Sequence, residues 1–182
     1  ALLGSGQWRS GALHAAGVVA KGLLLELEMP RMEWLLGPKA FGAWYLHCCT
    51  ATAPLEADIL WSSVGSGLGN VGQASYATGN ACLDSHAIVH RARGKVSCSL
   101  QWPLVGGAGM GAAGVSEKQA RARGMAAISI DEFATGLLEA LTAMKHMLSR
   151  AHVPMATDLI KMLDDVADNS QPLYLELSLI HI

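Results

Sequence analysis

The sequence predicts an α/β fold built on a parallel sheet, and three features predict it. Short apolar runs of strand length recur at residues 11–17 (GALHAAG), 57–63 (ADILWSS) and 95–102 (KVSCSLQW). Two segments of helical length and periodicity, 30–50 and 73–93, stand between them. The second strand ends in hydroxyl residues followed by a glycine-rich stretch, the kind of place where α/β sheets build their sites. Strands that alternate with helices re-enter a sheet in the same direction, through right-handed crossovers.

Each element has its own justification. The run at 11–17 is closed by glycine, as a buried strand meeting a loop is, and its small residues let another group approach the backbone. The helix over 30–50 opens on Pro30, whose missing N–H goes unused in a first turn, and carries apolar residues at Trp34, Leu35, Ala40, Trp44 and Leu46. Lys39 lies within it. The strand at 57–63 ends on Ser62 and Ser63 and leads into a glycine-rich loop over 65–72. The helix over 73–93 carries Tyr76, Asn80 and Asp84 at helical spacing. It stops at Gly94, with Arg91 and Arg93 in a last turn where positive charge suits the helix dipole. Residues 106–114 read as a small-residue loop, and the charged stretch 117–125 as a candidate lid. Ser129 and Glu132 form a capping box ahead of a helix from Phe133 to about Met147, which is expected to pack on the sheet. Residues 155–166 again have helical periodicity, and 173–177 suit a last strand.

The bulk properties narrow the function classes. A chain of 182 residues has the size of one domain or a large piece of one. With 51% hydrophobic and 15% charged residues it is too apolar to be disordered. A net charge of −2 offers no basic face for phosphates, so nucleic acid is set aside as a partner. Gly, Lys, Glu or His interrupts every apolar run before it reaches bilayer-spanning length, which sets the membrane aside too. Cys48, Cys49, Cys82 and Cys98 lack C-x-x-C spacing and no histidines stand paired at ligand distance, so neither a metal site nor a disulfide framework is expected. Reduced thiols fit an intracellular setting, the cytoplasm or else a plastid. The opening residues read as a start in mid-sequence. Residues 1–176 are taken as the domain, and 177–182 (LSLIHI) are set aside as an adapter-derived tail.

Two stretches match G-x-G-x-x-G, from Gly67 to Gly72 and from Gly109 to Gly114. A dinucleotide fingerprint also requires a following strand that ends in an acidic residue about twenty positions on. After the first match the next strand ends in Gln101 and Trp102, and no strand follows the second in range, so neither is expected to hold phosphate. A G-x-S-x-G nucleophile motif is absent, because the glycines beside Ser66 are adjacent rather than two away, which speaks against a serine hydrolase. What remains is Ser63 at a strand's end, Tyr76 thirteen positions later in a helix's first turn, and Asn80 four further on. The last spacing puts Tyr76 and Asn80 on one helix face.

Residues 62–84 (SSVGSGLGNVGQASYATGNACLD) closely resemble the active-site segment of polyketide synthase ketoreductase domains, members of the short-chain dehydrogenase/reductase superfamily. The likeness extends to 14–24 (HAAGVVAKGLL), 37–47 (GPKAFGAWYLH), 90–102 (HRARGKVSCSLQW) and the Gly109-Met110 pair, in collinear order over 11–141. It implies a Rossmann-like, doubly wound parallel sheet whose N-terminal strands and phosphate loop would lie upstream of Ala1. The 182-residue chain alone is accordingly expected to show little or no reductase activity. Most members of the superfamily carry lysine four residues after the tyrosine, where Asn80 stands here. Synthase ketoreductases exchange the two positions and take the lysine from the preceding helix, twenty-four residues before the serine; counting back from Ser63 reaches Lys39.

The resemblance implies hydride transfer from NADPH to the β-keto group of an acyl chain. That chain would be carried as a thioester on an acyl carrier protein domain, among the other domains of a polyketide or fatty acid synthase. In that chemistry Tyr76 is the general acid, with its ionised form favoured by the Lys39 ammonium. Lys39 also binds the nicotinamide ribose, Ser63 donates to the ketone oxygen as negative charge develops there, and Asn80 holds a proton-relay water. Ala16 and Gly17 would line the cofactor ribose, and Pro103, Leu104 and Val105 would face the nicotinamide. Three departures stand out. Val19-Ala20-Lys21 replaces an L-D-D tripeptide, Leu68 replaces a tryptophan that marks the opposite stereochemical class, and Trp102-Pro103 replaces Trp-Gly. The configuration of the alcohol is therefore not legible. Two other readings stay open: a non-catalytic reductase-like module bracing its neighbours in a synthase, and a free-standing short-chain dehydrogenase, against which the Asn80 and Lys39 exchange speaks.

Overall fold

Strand β1 (Ser10–His14) pairs with β2 (Leu55–Ser63), β2 with β3 (Cys98–Trp102), and β3 with β4 (Arg150–His152), every pair parallel. The order β1-β2-β3-β4 makes one four-stranded sheet, the Rossmann-like α/β arrangement that alternating strands and helices call for. This computed structural model describes residues 10–20, 22–68, 72–107, 126–143 and 150–152. Strand order does not reverse among them, so the second half of a doubly wound sheet is not among the described residues. The lid at 117–125, the helix at 155–166, the strand at 173–177, the Gly109-Met110 pair and the tail at 177–182 also lie outside them.

The chain divides into two compact units, Ala1–Trp102 with Gly136–Val153, and Pro103–Thr135 with Pro154–Ile182. The sheet belongs to the first. Its expected helix over 30–50 forms with one departure: α1 (Met29–Leu36) passes into α2 (Gly42–Thr50) through a π-helical turn, Gly37–Phe41. Pro38 has no N–H to give, and its ring crowds the carbonyl four residues back. Widening the turn, visible in the bond from the Gly42 N–H to the Gly37 carbonyl, accommodates it. The glycine-rich stretch after β2 begins as a single helical turn, α3 (Gly65–Leu68), where a loop is expected from the sequence.

Helix α4 (Ala74–Ala92) covers β2 and β3. It ends as predicted at Gly94, whose φ of +76° suits glycine. The Gly94 N–H bonds the Arg91 carbonyl and the Lys95 N–H the His90 carbonyl, the paired bonds of a Schellman cap. Leu60 of β2 packs against Leu83 and Ala87 of α4 and Ala43 of α2, all buried. The neighbouring contacts on that face are polar: Ser62, Ser99 and Gln101 each hydrogen-bond to a residue of α4. The residues between them point away, where Trp61 and Trp102 stack with ring centres 6.3 Å apart. All five residues of β3 are buried, as in a strand covered on both faces. Strand β4, Arg-Ala-His, has no apolar alternation to announce it and is a strand because β3 offers it a hydrogen-bonding edge.

In the second unit, Val105 and Ile128 form a parallel bridge, secured by the Ile128 N–H to the Leu104 carbonyl and the Gly106 N–H to the Ile128 carbonyl, both 2.8 Å. The predicted capping box is present. The Ser129 N–H donates to Glu132 Oε2 at 2.7 Å, and the Glu132 N–H to Ser129 Oγ at 3.1 Å. These bonds hold the Glu132 carboxyl below its usual pKa and start α5 at Ile130 (Ile130–Ala143), earlier than Phe133. Ser129→Ala should weaken the first turn of α5 by about 1 kcal/mol, seen as faster amide exchange at Ile130–Phe133; unchanged exchange would show the cap to be idle. No helix of the described residues is long and apolar enough to cross a membrane.

Candidate active site

Ser63 closes β2 and Tyr76 stands in the first turn of α4, so both come to the carboxyl edge of the sheet. Ser63 Oγ accepts the Gly65 N–H at 3.2 Å, which leaves its own proton free to be aimed elsewhere. A Cβ at residue 65 would lie 3.5 Å from that oxygen and 3.9 Å from Cε1 of Tyr76. The serine hydroxyl and the tyrosine ring therefore flank one small opening.

Lys39 reaches the same place from the π-helical turn. Its Nζ stands 5.7 Å from the centre of the Tyr76 ring and donates to the Trp61 carbonyl of β2 at 2.8 Å. The lysine stem runs over Gly79 of α4, where a Cβ would be 3.5 Å from Lys39 Cδ, so the small residue leaves the stem its channel between helices. With 3% of its surface exposed, Lys39 has its pKa pushed down to about 8 by burial, against an upward pull from Asp84. Asn80, fully buried one turn beyond Tyr76, donates from Nδ2 to the Tyr76 carbonyl at 2.8 Å. Its Oδ1 finds no partner among the described residues, and its own carbonyl accepts from Ser62 Oγ at 3.3 Å.

Beneath these residues lies a polar network that the sequence reading missed. Asp84, buried on α4, accepts from Ser99 Oγ at 2.6 Å, Ser66 Oγ at 2.7 Å and Gln101 Nε2 at 2.8 Å. Gln101 also donates to Ser66 Oγ at 2.9 Å, and the single Ser66 hydroxyl proton is shared between Asp84 and the Ser63 carbonyl, which lies 2.8 Å away. One carboxylate thus links β3, α4 and the turn that carries Ser63. The available signal was Asp84 itself, four residues after Asn80 on the same helix face. Its partners on β3 become identifiable only once the strand is set against α4.

The structure brings Ser63, Tyr76, Asn80 and Lys39 together. Ala16 is exposed and Gly17 half-buried just beyond β1, whose His14 lies in register with Leu60 of β2. Pro103, Leu104 and Val105 belong to the second unit, where Ile128 fixes their backbone. A second cluster corrects the expectation that no histidines pair at ligand distance. His47 of α2 meets His86 and His90 of α4, with a ring nitrogen of each within 4.8 Å of the others. His86 and His90 are four apart on one helix and were legible as a pair, whereas His47 joins them only through packing.

Comparison with known proteins gives a consistent picture. The KR domain family model matches residues 6–107. A 6-methylsalicylic acid synthase of Aspergillus niger is 43% identical over 125 residues, which is 68% of this chain and 7% of that protein. Erythronolide synthase EryA2 of Saccharopolyspora erythraea is 38% identical over 119 residues, 65% of this chain and 3% of the synthase. Among solved structures, A-type ketoreductases from a modular polyketide synthase superpose with a TM-score of 0.78 at 25% identity, covering 92% of this chain and 36% of theirs. The first ketoreductase of the tylosin polyketide synthase gives 0.73 at 33% identity, covering 90% of this chain and 37% of its own. The chain therefore spans a small part of the synthases it resembles.

Proposed function

Since the chain belongs to the KR domain family, the ketoreductase domains of polyketide synthases, we propose that its site reduces the β-keto group of an acyl thioester to a β-hydroxyl with NADPH. The observation that carries this reading is the convergence of Ser63, Tyr76 and a buried Lys39 at one edge of a parallel sheet.

The residues present fit the ribose end of such a cofactor. The Lys39 ammonium has three donors and gives one to the Trp61 carbonyl, so it can hold ribose hydroxyls with the others. Ala16 and Gly17, just beyond β1, offer a surface without bulk. The nicotinamide, when bound, supplies a hydride to the ketone carbon. Ser63, oriented by the Gly65 N–H, donates to the ketone oxygen as charge builds on it. Tyr76 delivers its phenolic proton to that oxygen, and the nearby ammonium stabilises the negative charge left behind. The unpartnered Oδ1 of buried Asn80 suits a water that returns the proton. The partners this reading implies are an acyl carrier protein domain bearing the thioester and the other domains of a synthase, in an intracellular setting. It is tested by NADPH oxidation in a protein containing the full domain: oxidation that depends on added β-ketoacyl thioester is expected, and its absence would leave the bracing, non-catalytic reading.

The buried lysine gives a further expected result. Lys39 folds with a pKa of about 8, below its ordinary 10.5, so the unfolded chain holds more protons between those values. Stability should therefore rise as pH climbs from about 8 toward 10.5, since burying the charge is unfavourable below that window. Lys39→Met should remove this rise and melt no lower than wild type at pH 7, while reduction falls by about 100-fold or more. Undiminished turnover in that variant would exclude Lys39 from the chemistry.

A further inference from the structure

We propose that His47, His86 and His90 form a binding site for one zinc-class cation, with three imidazole ligands and a fourth position open to water. The cluster takes no part in the reduction proposed above. His86 lies ten residues along α4 from Tyr76, about 15 Å at the helical rise, toward the opposite end of the helix.

The geometry starts from α4. Residues four apart on a helix project from one face, the spacing by which a single helix presents two imidazoles to one ion. His47, near the end of α2, supplies the third. Ring centres are 3.9 Å apart for His86 and His90, 4.1 Å for His47 and His90, and 5.5 Å for His47 and His86. Zinc–nitrogen bonds of about 2.0–2.1 Å set tetrahedral ligand nitrogens roughly 3.3 Å apart. With the nitrogens already within 4.8 Å of one another, that arrangement asks for side-chain rotations that close them by up to about 1.5 Å and spread the ring centres now 3.9 and 4.1 Å apart.

The surroundings also suit a ligand set. Asp58 Oδ2 lies 3.7 Å from His90 Nδ1 and is itself held by Ser97 Oγ at 2.8 Å. A carboxylate behind one ring nitrogen, turning the other toward the ion, is the usual support of a metal-bound histidine. His90 is buried while His47 and His86 are partly exposed, which gives a cation a way in from solvent. Burial lowers the pKa of all three rings, that of His90 to about 4, with its two neighbours adding to the effect. Neutral imidazoles keep the lone pairs that coordination requires. Nitrogen ligands select zinc, copper or nickel over magnesium or calcium, which prefer oxygen. A bound ion would clamp α2, in the β1-to-β2 crossover, to α4, in the next one.

The test is zinc titration of the full chain, purified without a polyhistidine tag and stripped with chelator, in competition with a chromophoric chelator. One equivalent should bind, at least tenfold more tightly than in His86→Ala, a substitution at a half-exposed position. Zinc should also raise the melting temperature of wild type and not of that variant. Asp58→Asn should weaken binding by roughly tenfold. Should His86→Ala fail to fold, His47→Gln provides the same comparison. Absence of stoichiometric zinc binding, or equal affinity in wild type and the histidine variant, would overturn the proposal and leave the three rings as an aromatic packing cluster.

Discussion

Tyr76→Phe, in a protein containing the full domain, is expected to lower thioester-dependent NADPH oxidation by about 10²- to 10⁴-fold, the range general acid catalysis contributes. The substitution removes one oxygen and keeps the ring. The ring's described contacts are with the Gly65 opening and the Lys39 ammonium, which a phenyl group still makes. The Asn80 side chain bonds the Tyr76 backbone carbonyl and is untouched. Stability should therefore stay close to that of wild type. The comparison needs the initial rate at saturating thioester beside a thermal melt: equal rates would remove Tyr76 from the role of acid, and a lower rate with a collapsed melt would assign it a structural role.

Asp84→Ala should produce the largest loss of stability. The carboxylate is 5% exposed and accepts from three side chains. Truncation leaves Ser99 Oγ without its acceptor in a buried space and strips one of two acceptors from Gln101, while Ser66 keeps the Ser63 carbonyl, at a cost of about 1–3 kcal/mol. Denaturant unfolding should show a lower midpoint. Asp84→Asn separates packing from charge, since it keeps the shape. Asp84 is the group that pulls the Lys39 pKa upward against burial, so its neutralisation lets that pKa fall below about 8. In the proposed reaction the ammonium form is the active one and should be lost as pH rises through the Lys39 pKa, so the alkaline limb of the pH–rate profile should move to lower pH in Asp84→Asn. An unmoved limb together with an unchanged unfolding midpoint would show the network to be without influence on the site.

Elements whose determinants are local were legible. β2 and α4 stand where apolar runs and helical spacing put them, and Gly94 stops α4 with its Schellman cap. Ser129 and Glu132 satisfy one another across a single turn, so four residues suffice to announce the cap. The π-helical turn was not legible: the predicted helix over 30–50 runs straight through Pro38, and a kink, a break and a widened turn all answer the same missing N–H. β4 was invisible, because three residues without alternation become a strand only where β3 presents an edge.

The sequence by itself determined the class of fold and named the four residues of the proposed site, because strand and helix periods are local and the motif words around Ser63 and Tyr76 are distinctive. Only the tertiary structure decided what surrounds those residues. It buried Lys39 beneath the tyrosine, placed Asp84 under three donors from β3 and the turn after β2, and joined His47 to a histidine pair on another helix. The reason is physical: hydrogen bonds between buried side chains, and the desolvation that moves a pKa, depend on which elements meet and in what register. Spacing along the chain fixes neither before the sheet has formed.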